Sequence, residues 1–273
     1  HVVVRVRPLS EAERAQGERE CVRVVEGGGG GGGGGGTTHV ARRQVEVVQT
    51  GGAGSEESAL RFTFDEVWGA PVRQEHVFAR VQHYVEAAVG GYNATIFCYG
   101  QTGAGKTYTM MGPPSEPGLV PRALAHLFEC VAAQPERTFA VTCSYVELYL
   151  DQIVDLLDPD SHPKRRRRQQ VAAAPSILGS STQARRARIE IREDARTRAV
   201  YLSGSAHLRT PLRGLEHALR VVTEASRNRV VSATNMNEAS SRSHSVLTLH
   251  IESRDAAGAA VLGKLHLVDL AGR

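Results

Sequence analysis

With 273 residues, 41% of them hydrophobic and 23% charged, the chain carries apolar surface for one large globular domain or two small ones. A formal charge of +4 permits an acidic partner without pointing to nucleic acid. Four scattered cysteines (Cys21, Cys98, Cys130 and Cys143) form no CxxC pair and suit a reduced setting, and no apolar run approaches the ~20 residues that span a bilayer.

Aromatics make up only 5% of the chain, so aliphatic packing has to build the core. The chain opens on His1 rather than Met, which reads as a fragment. "HVVVRVRP" predicts a short buried strand ended by Pro8. The run Gly27 to Gly36 buries nothing and predicts a flexible loop. "LRFTFDEVW" predicts another strand. From Gln74 to Val89, Phe78, Val81, Val85 and Val89 recur at helical spacing before a Gly90-Gly91 stop. "ATIFCYG" has the apolar, β-rich character of a buried parallel strand. "VPRALAHLFECVAA" predicts a helix with Leu124, Leu127, Phe128 and Val131 on one face and Pro121 near its start.

"TFAVTCSYVELYL" predicts a long strand whose tail, "DQIVDLL", reads equally as helix. Residues 159 to 188 change character, with "PKRRRRQQ" and "QARRAR" flanking small residues, and predict a long basic loop. "GLEHALRVVTEASRNR" sets Leu215, Leu219 and Val222 on one helical stripe. "SVLTLHIES" and "KLHLVDL" then predict two strands joined by a Gly-bearing turn. Strands alternating with helices, plus one late hairpin, predict a layered α/β domain with a mostly parallel central sheet.

Between the "ATIFCY" strand and a helix-compatible stretch lies "GQTGAGKT", Gly100 to Thr107, which fits G-x-x-x-x-G-K-[ST] in full. Glycines let the backbone wrap phosphate and aim N–H groups at its oxygens. Lys106 is placed to reach the β and γ phosphates, and the Thr107 hydroxyl to ligate Mg²⁺. A helix N-terminus just after the loop would add partial positive charge. Such a loop needs a carboxylate on the far side of the metal, and Asp269 ends the last apolar strand. Gly272 is then placed to offer an N–H to the γ-phosphate. The polar stretch "NEASSRSH" adds Ser240 and Ser241 as oxygens for Mg²⁺, the γ-phosphate or water, and Arg242 as a partner for a carboxylate.

"GYNATIFCYGQTGAGKTYTMMG", Gly91 to Gly112, resembles a kinesin motor domain. So do "VRVRP", "FTFDEVW", "GLVPRAL", "SYVELYLDQIVDLLDP", "NRVVSATNMNEASSRSHSV" and "LVDLAG", in family order along nearly the whole chain. The resemblance implies a P-loop NTPase fold, α/β with helices on both faces of the central sheet and incomplete at its C-terminus. It implies base contact at Arg5 and Pro8, and nucleotide contact at Gly100, Gln101, Thr102, Gly103, Ala104, Gly105, Lys106, Thr107 and Tyr108. Mg²⁺ would be held by Thr107, Ser241 and, through water, Asp269. Ser240, Ser241, Arg242 and Gly272 would form the hydrolytic switches.

The resemblance further implies ATP and Mg²⁺ as cofactors, microtubules as partner and a place on the cytoskeleton in the cytoplasm, with neither a specific nucleic acid nor a membrane span. In the family a Glu that follows "DLAG-Ser" pairs with the switch Arg and helps position water. Here Arg273 stands where that Ser is usual, and the Glu would be the next residue. The expected domain is thus 1–273 as a partial motor, without the switch II helix, the final strand and helices, and the neck linker. In the family the region Arg192 to Gly204 also touches tubulin, and the 159–188 loop is an insertion beside it. The alternative is a nonmotile microtubule-associated homologue, or an inactive fragment lacking the switch Glu.

Overall fold

A computed structural model describes residues 1–25, 42–49, 58–150, 152–158, 189–205, 207–234 and 243–272. The poly-glycine run, the basic 159–188 stretch and residues 235–242 lie outside them. Two compact units make up the chain, His1–Arg73 and Gln74–Arg273.

The first unit holds β1 (Val3–Arg5), α1 (Glu11–Ala15), β2 (Val22–Val25), β3 (Arg42–Gln49) and β4 (Ser58–Trp68) in a sheet of order β1-β4-β3-β2. The β1–β4 pair is parallel and the other two pairs are antiparallel. Alternating valines drive the pairing, and Val45, Val48 and Val67 are buried. Short α1 is held by a capping box: the Ser10 side chain accepts from the Glu13 N–H while the Glu13 carboxylate accepts from the Ser10 N–H. Hydrogen bonds first from Arg7 and then from Ser10 hold the Glu13 carboxyl down to about 2.

The second unit runs α2 (Gln74–Ala79), α3 (Gln82–Val89), β5 (Asn93–Cys98), α4 (Lys106–Met110), α5 (Leu119–Ala132), β6 (Thr138–Tyr149), β7 (Gln152–Asp155), β8 (Glu190–Glu193), β9 (Val200–Ser203), β10 (Thr210–Pro211), α6 (Leu215–Thr234), β11 (His244–Arg254) and β12 (Ala260–Asp269). The main sheet has the order β10-β6-β11-β12-β5, with β7 also pairing β6, while β8 and β9 form a separate ladder. β5 and β12 pair in parallel, and β11 pairs antiparallel with both β12 and β6. The strands β5, β12 and β6 share one direction, but β11, β10 and β7 run the other way, so among the described residues the sheet is mixed rather than mostly parallel, with β5–β12 its one parallel ladder. The ladders beside β11 are antiparallel because β11 is hairpinned to β12 through the turn at Gly258.

The predicted helix 74–89 is two helices. At the break the Val81 N–H turns back to the Phe78 carbonyl at 2.9 Å, and the Tyr84 N–H to the Val81 carbonyl at 3.0 Å. The "DQIVDLL" tail is not helical. It folds back as β7 on β6, with Leu150 in the left-handed region (φ +51°) at the turn.

Side chains alternate across the sheet, so the registers define two faces. One carries Leu265 and Leu267, Leu247, Leu249 and Ile251, and Cys143 and Tyr145, each no more than 4% exposed. Against it lie Val85 and Ala88 of α3, Leu124 and Leu127 of α5, and Ala218, Val222 and Ala225 of α6, all buried. Each fully buried Leu contributes about 1.5–3 kcal/mol. Burial also pushes the Cys143 thiol up to about 12, so it is an inert core atom. At Gly263 of β12 an added Cβ would stand 1.9 Å from the Ala88 carbonyl oxygen, so α3 rides directly on the strand. On the opposite face Phe97 is 62% and Leu262 67% exposed. Among the described residues the helices that contact this sheet gather on the first face, and the expected second helical layer is not among them.

Candidate functional site: a phosphate loop facing a buried carboxylate

The loop Gly100–Gly105 joins β5 to α4, at the end of β5 that lies beside Asp269. Gly103 and Gly105 take φ of +81° and +89°, and nothing lies within 4 Å of a Cβ added at either, so backbone conformation rather than crowding selects glycine there. The Lys106 ammonium donates to the Gly100 and Gln101 carbonyls, both at 2.9 Å, and so caps the loop with its own charge. α4 is only five residues long, so few peptide dipoles add to a positive end.

Parallel pairing of β12 with β5 sets Asp269 beside Cys98, at the mouth of the loop. There Asp269 is 5% exposed. Its Oδ2 accepts from the Thr107 hydroxyl at 2.7 Å and from Arg229 Nη1 at 2.6 Å. Its Oδ1 is buried with no hydrogen-bond partner among the described residues. A buried oxygen left so is costly unless something else satisfies it. Next to a threonine hydroxyl and a phosphate loop it suits a hard, oxygen-seeking cation. Among the described residues no cluster of three or more His, Cys, Asp or Glu could hold a metal by itself. A cation here would draw on Thr107, Asp269, phosphate oxygens and water, which is the usual habit of Mg²⁺.

Arg229, from α6, ties this centre together. Besides Asp269 it donates from Nη2 to the Ser243 carbonyl at 3.1 Å, and its Nε stands 3.8 Å from Glu147 Oε1. Ser243, fully buried, donates its hydroxyl to the same Glu147 oxygen at 2.6 Å. One guanidinium thus bridges two buried carboxylates on β6 and β12. Beyond β12 the chain turns along the loop: the Ala271 N–H donates to His244 Nδ1 at 3.0 Å, and a Cβ on Gly272 would meet Thr102 Oγ1 at 2.2 Å and Thr102 N at 2.7 Å. Only glycine fits so close a passage.

The family profile described as "Kinesin motor domain" matches residues 5–273. The chain belongs to the kinesin motor-domain family. It is 34% identical over 99% of its length to "Kinesin-like protein KIN-14E" of Arabidopsis thaliana, and 37% identical over 77% to "Kinesin heavy chain" of Syncephalastrum racemosum. Among solved structures it is similar to that of a fast kinesin, with a TM-score of 0.74 and 29% identity over 99% of this chain. It spans 18% and 20% of the two sequence relatives and 64% of the solved chain.

Within this kinesin fold the structure brings together Gly100–Lys106, Thr107, Asp269 and Gly272. Tyr108 follows in α4, 42% exposed. Arg5 and Pro8 belong to the first unit, where Arg5 donates to the Val72 carbonyl at 3.2 Å and the exposed Pro8 carbonyl accepts from Arg7 at 3.0 Å. Ser240, Ser241 and Arg242 lie outside the described residues, as does Arg273. Arg229, Glu147 and Ser243 were missed from sequence. The one signal was "NRVV", an arginine at the position where α6 passes the end of the apolar β12.

Proposed function

We propose that this chain is the nucleotide-hydrolysing part of a microtubule motor, binding Mg·ATP at the phosphate loop and coupling nucleotide state to microtubule affinity. The observation that carries the reading is the Thr107–Asp269 contact, with a second Asp269 oxygen buried and unused beside it. A bound Mg²⁺ would neutralise phosphate charge and polarise the terminal phosphoryl group. Lys106 would exchange its two loop carbonyls for phosphate oxygens, and Thr107 would turn its hydroxyl oxygen from Asp269 toward the metal. Tyr108, partly exposed on the same helix, offers an aromatic face for a nucleobase. Ser240, Ser241 and Arg242 would report the terminal phosphate, and Gly272 would sense it through its N–H.

Arg229 holds the Asp269 carboxylate aimed at the loop through its 2.6 Å bond and joins α6 to β12, so that movement at either switch is felt by the other. The partner is the acidic microtubule surface, which places the protein on the cytoskeleton in the cytoplasm. No helix among the described residues is long and apolar enough to cross a membrane. Calorimetry with ATP, with and without Mg²⁺, tests the reading. Asp269→Asn should abolish most of the Mg²⁺-dependent gain in affinity while leaving weak metal-free binding. A gain unchanged by that substitution would refute it.

A further inference from the structure

Between α4 and α5 the chain makes a short excursion, residues 111–118, that nothing above assigns to a task. It is closed at its base: the Gly118 N–H donates to the Met111 carbonyl at 2.8 Å, and the Glu116 N–H to the Pro113 carbonyl at 3.0 Å. This fixes Glu116, a half-buried carboxylate, above the first turn of α4. Its Oε2 accepts from the Tyr108 phenol at 2.6 Å and its Oε1 from the Gln74 N–H at 3.2 Å. Gln74 is 1% exposed, and its side-chain amide in turn donates to the Tyr108 carbonyl. Three segments, the start of α2, the first turn of α4 and the excursion, therefore close a ring of hydrogen bonds around Tyr108.

We infer that Glu116 is a positioning residue for the nucleobase: it holds the Tyr108 ring in one orientation beside the phosphate loop. The inference rests on the nucleotide reading above. Tyr108 follows Thr107 directly and is 42% exposed, so its ring stands beside the phosphate loop with one side open to solvent. A charge-assisted bond from its phenol to a carboxylate, itself anchored by a buried main-chain N–H, favours one ring orientation before ligand arrives. The ring then presents a fixed π-face, which is the feature a base can stack on and a bare polyphosphate cannot use. Neither Glu116 nor the phenol oxygen needs to touch ligand for this to act.

Calorimetry on the full-length protein with two ligands, ATP and inorganic tripolyphosphate, tests the inference through Glu116→Gln, Tyr108→Phe and the double variant. Tyr108→Phe keeps the ring and deletes only the hydroxyl, so folding is not at issue. Each single variant is expected to weaken ATP about three- to tenfold, the worth of one positioning hydrogen bond. The double variant should be no weaker than either single one, and tripolyphosphate affinity should stay at the wild-type value in all three. Equal losses for both ligands, additive losses in the double variant, or an effect of Glu116→Gln without one of Tyr108→Phe would each overturn the positioning role. A Lys106-dependent ATP site indifferent to both substitutions would overturn this inference alone. Absence of Lys106-dependent ATP binding in the wild type would overturn the nucleotide reading and this inference with it.

Discussion

Replacing Arg229 with Ala should be among the most damaging single changes in this domain. The Arg229 side chain is 9% exposed and those of Asp269 and Glu147 are each 6% exposed. Removing the guanidinium leaves Asp269 without its 2.6 Å partner, takes a donor from the Ser243 carbonyl, and strands two carboxylates in one buried region. Truncating one partner of a buried pair costs about 3–5 kcal/mol, because the charge left behind keeps its desolvation penalty. That is a fifth or more of the about 5–15 kcal/mol that holds a typical domain together. With a urea m-value of about 3 kcal/mol/M, the midpoint should fall by about 1 to 1.7 M. Arg61→Ala is the control, since Arg61 pairs with Glu46 but is 66% exposed, and its loss should cost about 0.5 kcal/mol or less. Urea unfolding of the two variants side by side decides the matter. If Arg229→Ala moves the midpoint no further than Arg61→Ala, the buried network does not hold the site.

Gly263→Ala would drive a methyl group to 1.9 Å from the Ala88 carbonyl oxygen, where backbone and not a flexible side chain must yield. Thermal melting should register a loss of about 3 kcal/mol, and a melting temperature equal to wild type would mean that α3 does not press on β12 as described. His250 supplies a pH dependence. Burial first, then the nearby Arg209, Lys264 and His266, hold its imidazole down to about 3, so the folded chain keeps it neutral. The unfolded chain protonates near 6.5, so this contribution to stability is intact above that value and is lost as pH falls toward about 3. His250→Gln should therefore lose about 2 kcal/mol less than wild type between pH 7 and pH 5 in urea titrations. Identical losses would rule out His250 as a source of the acid sensitivity.

What the sequence disclosed follows from how far its signals reach along the chain. The phosphate loop was legible because glycines, Lys106 and Thr107 act within eight consecutive residues, and Asp269 because it ends an apolar run. The strands β6, β11 and β12 and the helices α5 and α6 announced themselves by apolar patterning, as did β5, although β5 proves half-buried to exposed rather than buried because it pairs only with β12 among the described strands. Helix α2–α3 was read as one because Phe78, Val81, Val85 and Val89 keep a helical period across the turn that divides them. The β7 hairpin was ambiguous because "QIVDLL" satisfies both periods, and pairing with β6 decided between them. Short β2, β8, β9 and β10 carried too few residues to pattern, and their partners are set by tertiary pairing.

The site residues that escaped reading share one property. Glu147, Arg229 and Ser243 sit on β6, on α6 and just before β11, and they meet only because β11 lies between β6 and β12. Arg229 is one of several arginines in its helix, and only its burial distinguishes it. Glu116 was equally silent, since an exposed-looking "PPSEPG" gives no hint that its carboxylate reaches the Tyr108 phenol.

Whether this phosphate loop drives a microtubule motor is decided by ATP turnover of the full-length protein with and without microtubules. Wild type should hydrolyse ATP at a rate that rises on adding microtubules, and Lys106→Ala should abolish both the basal and the stimulated rate. Turnover indifferent to microtubules would rule out the motor role, and turnover surviving loss of Lys106 would place hydrolysis elsewhere than this loop.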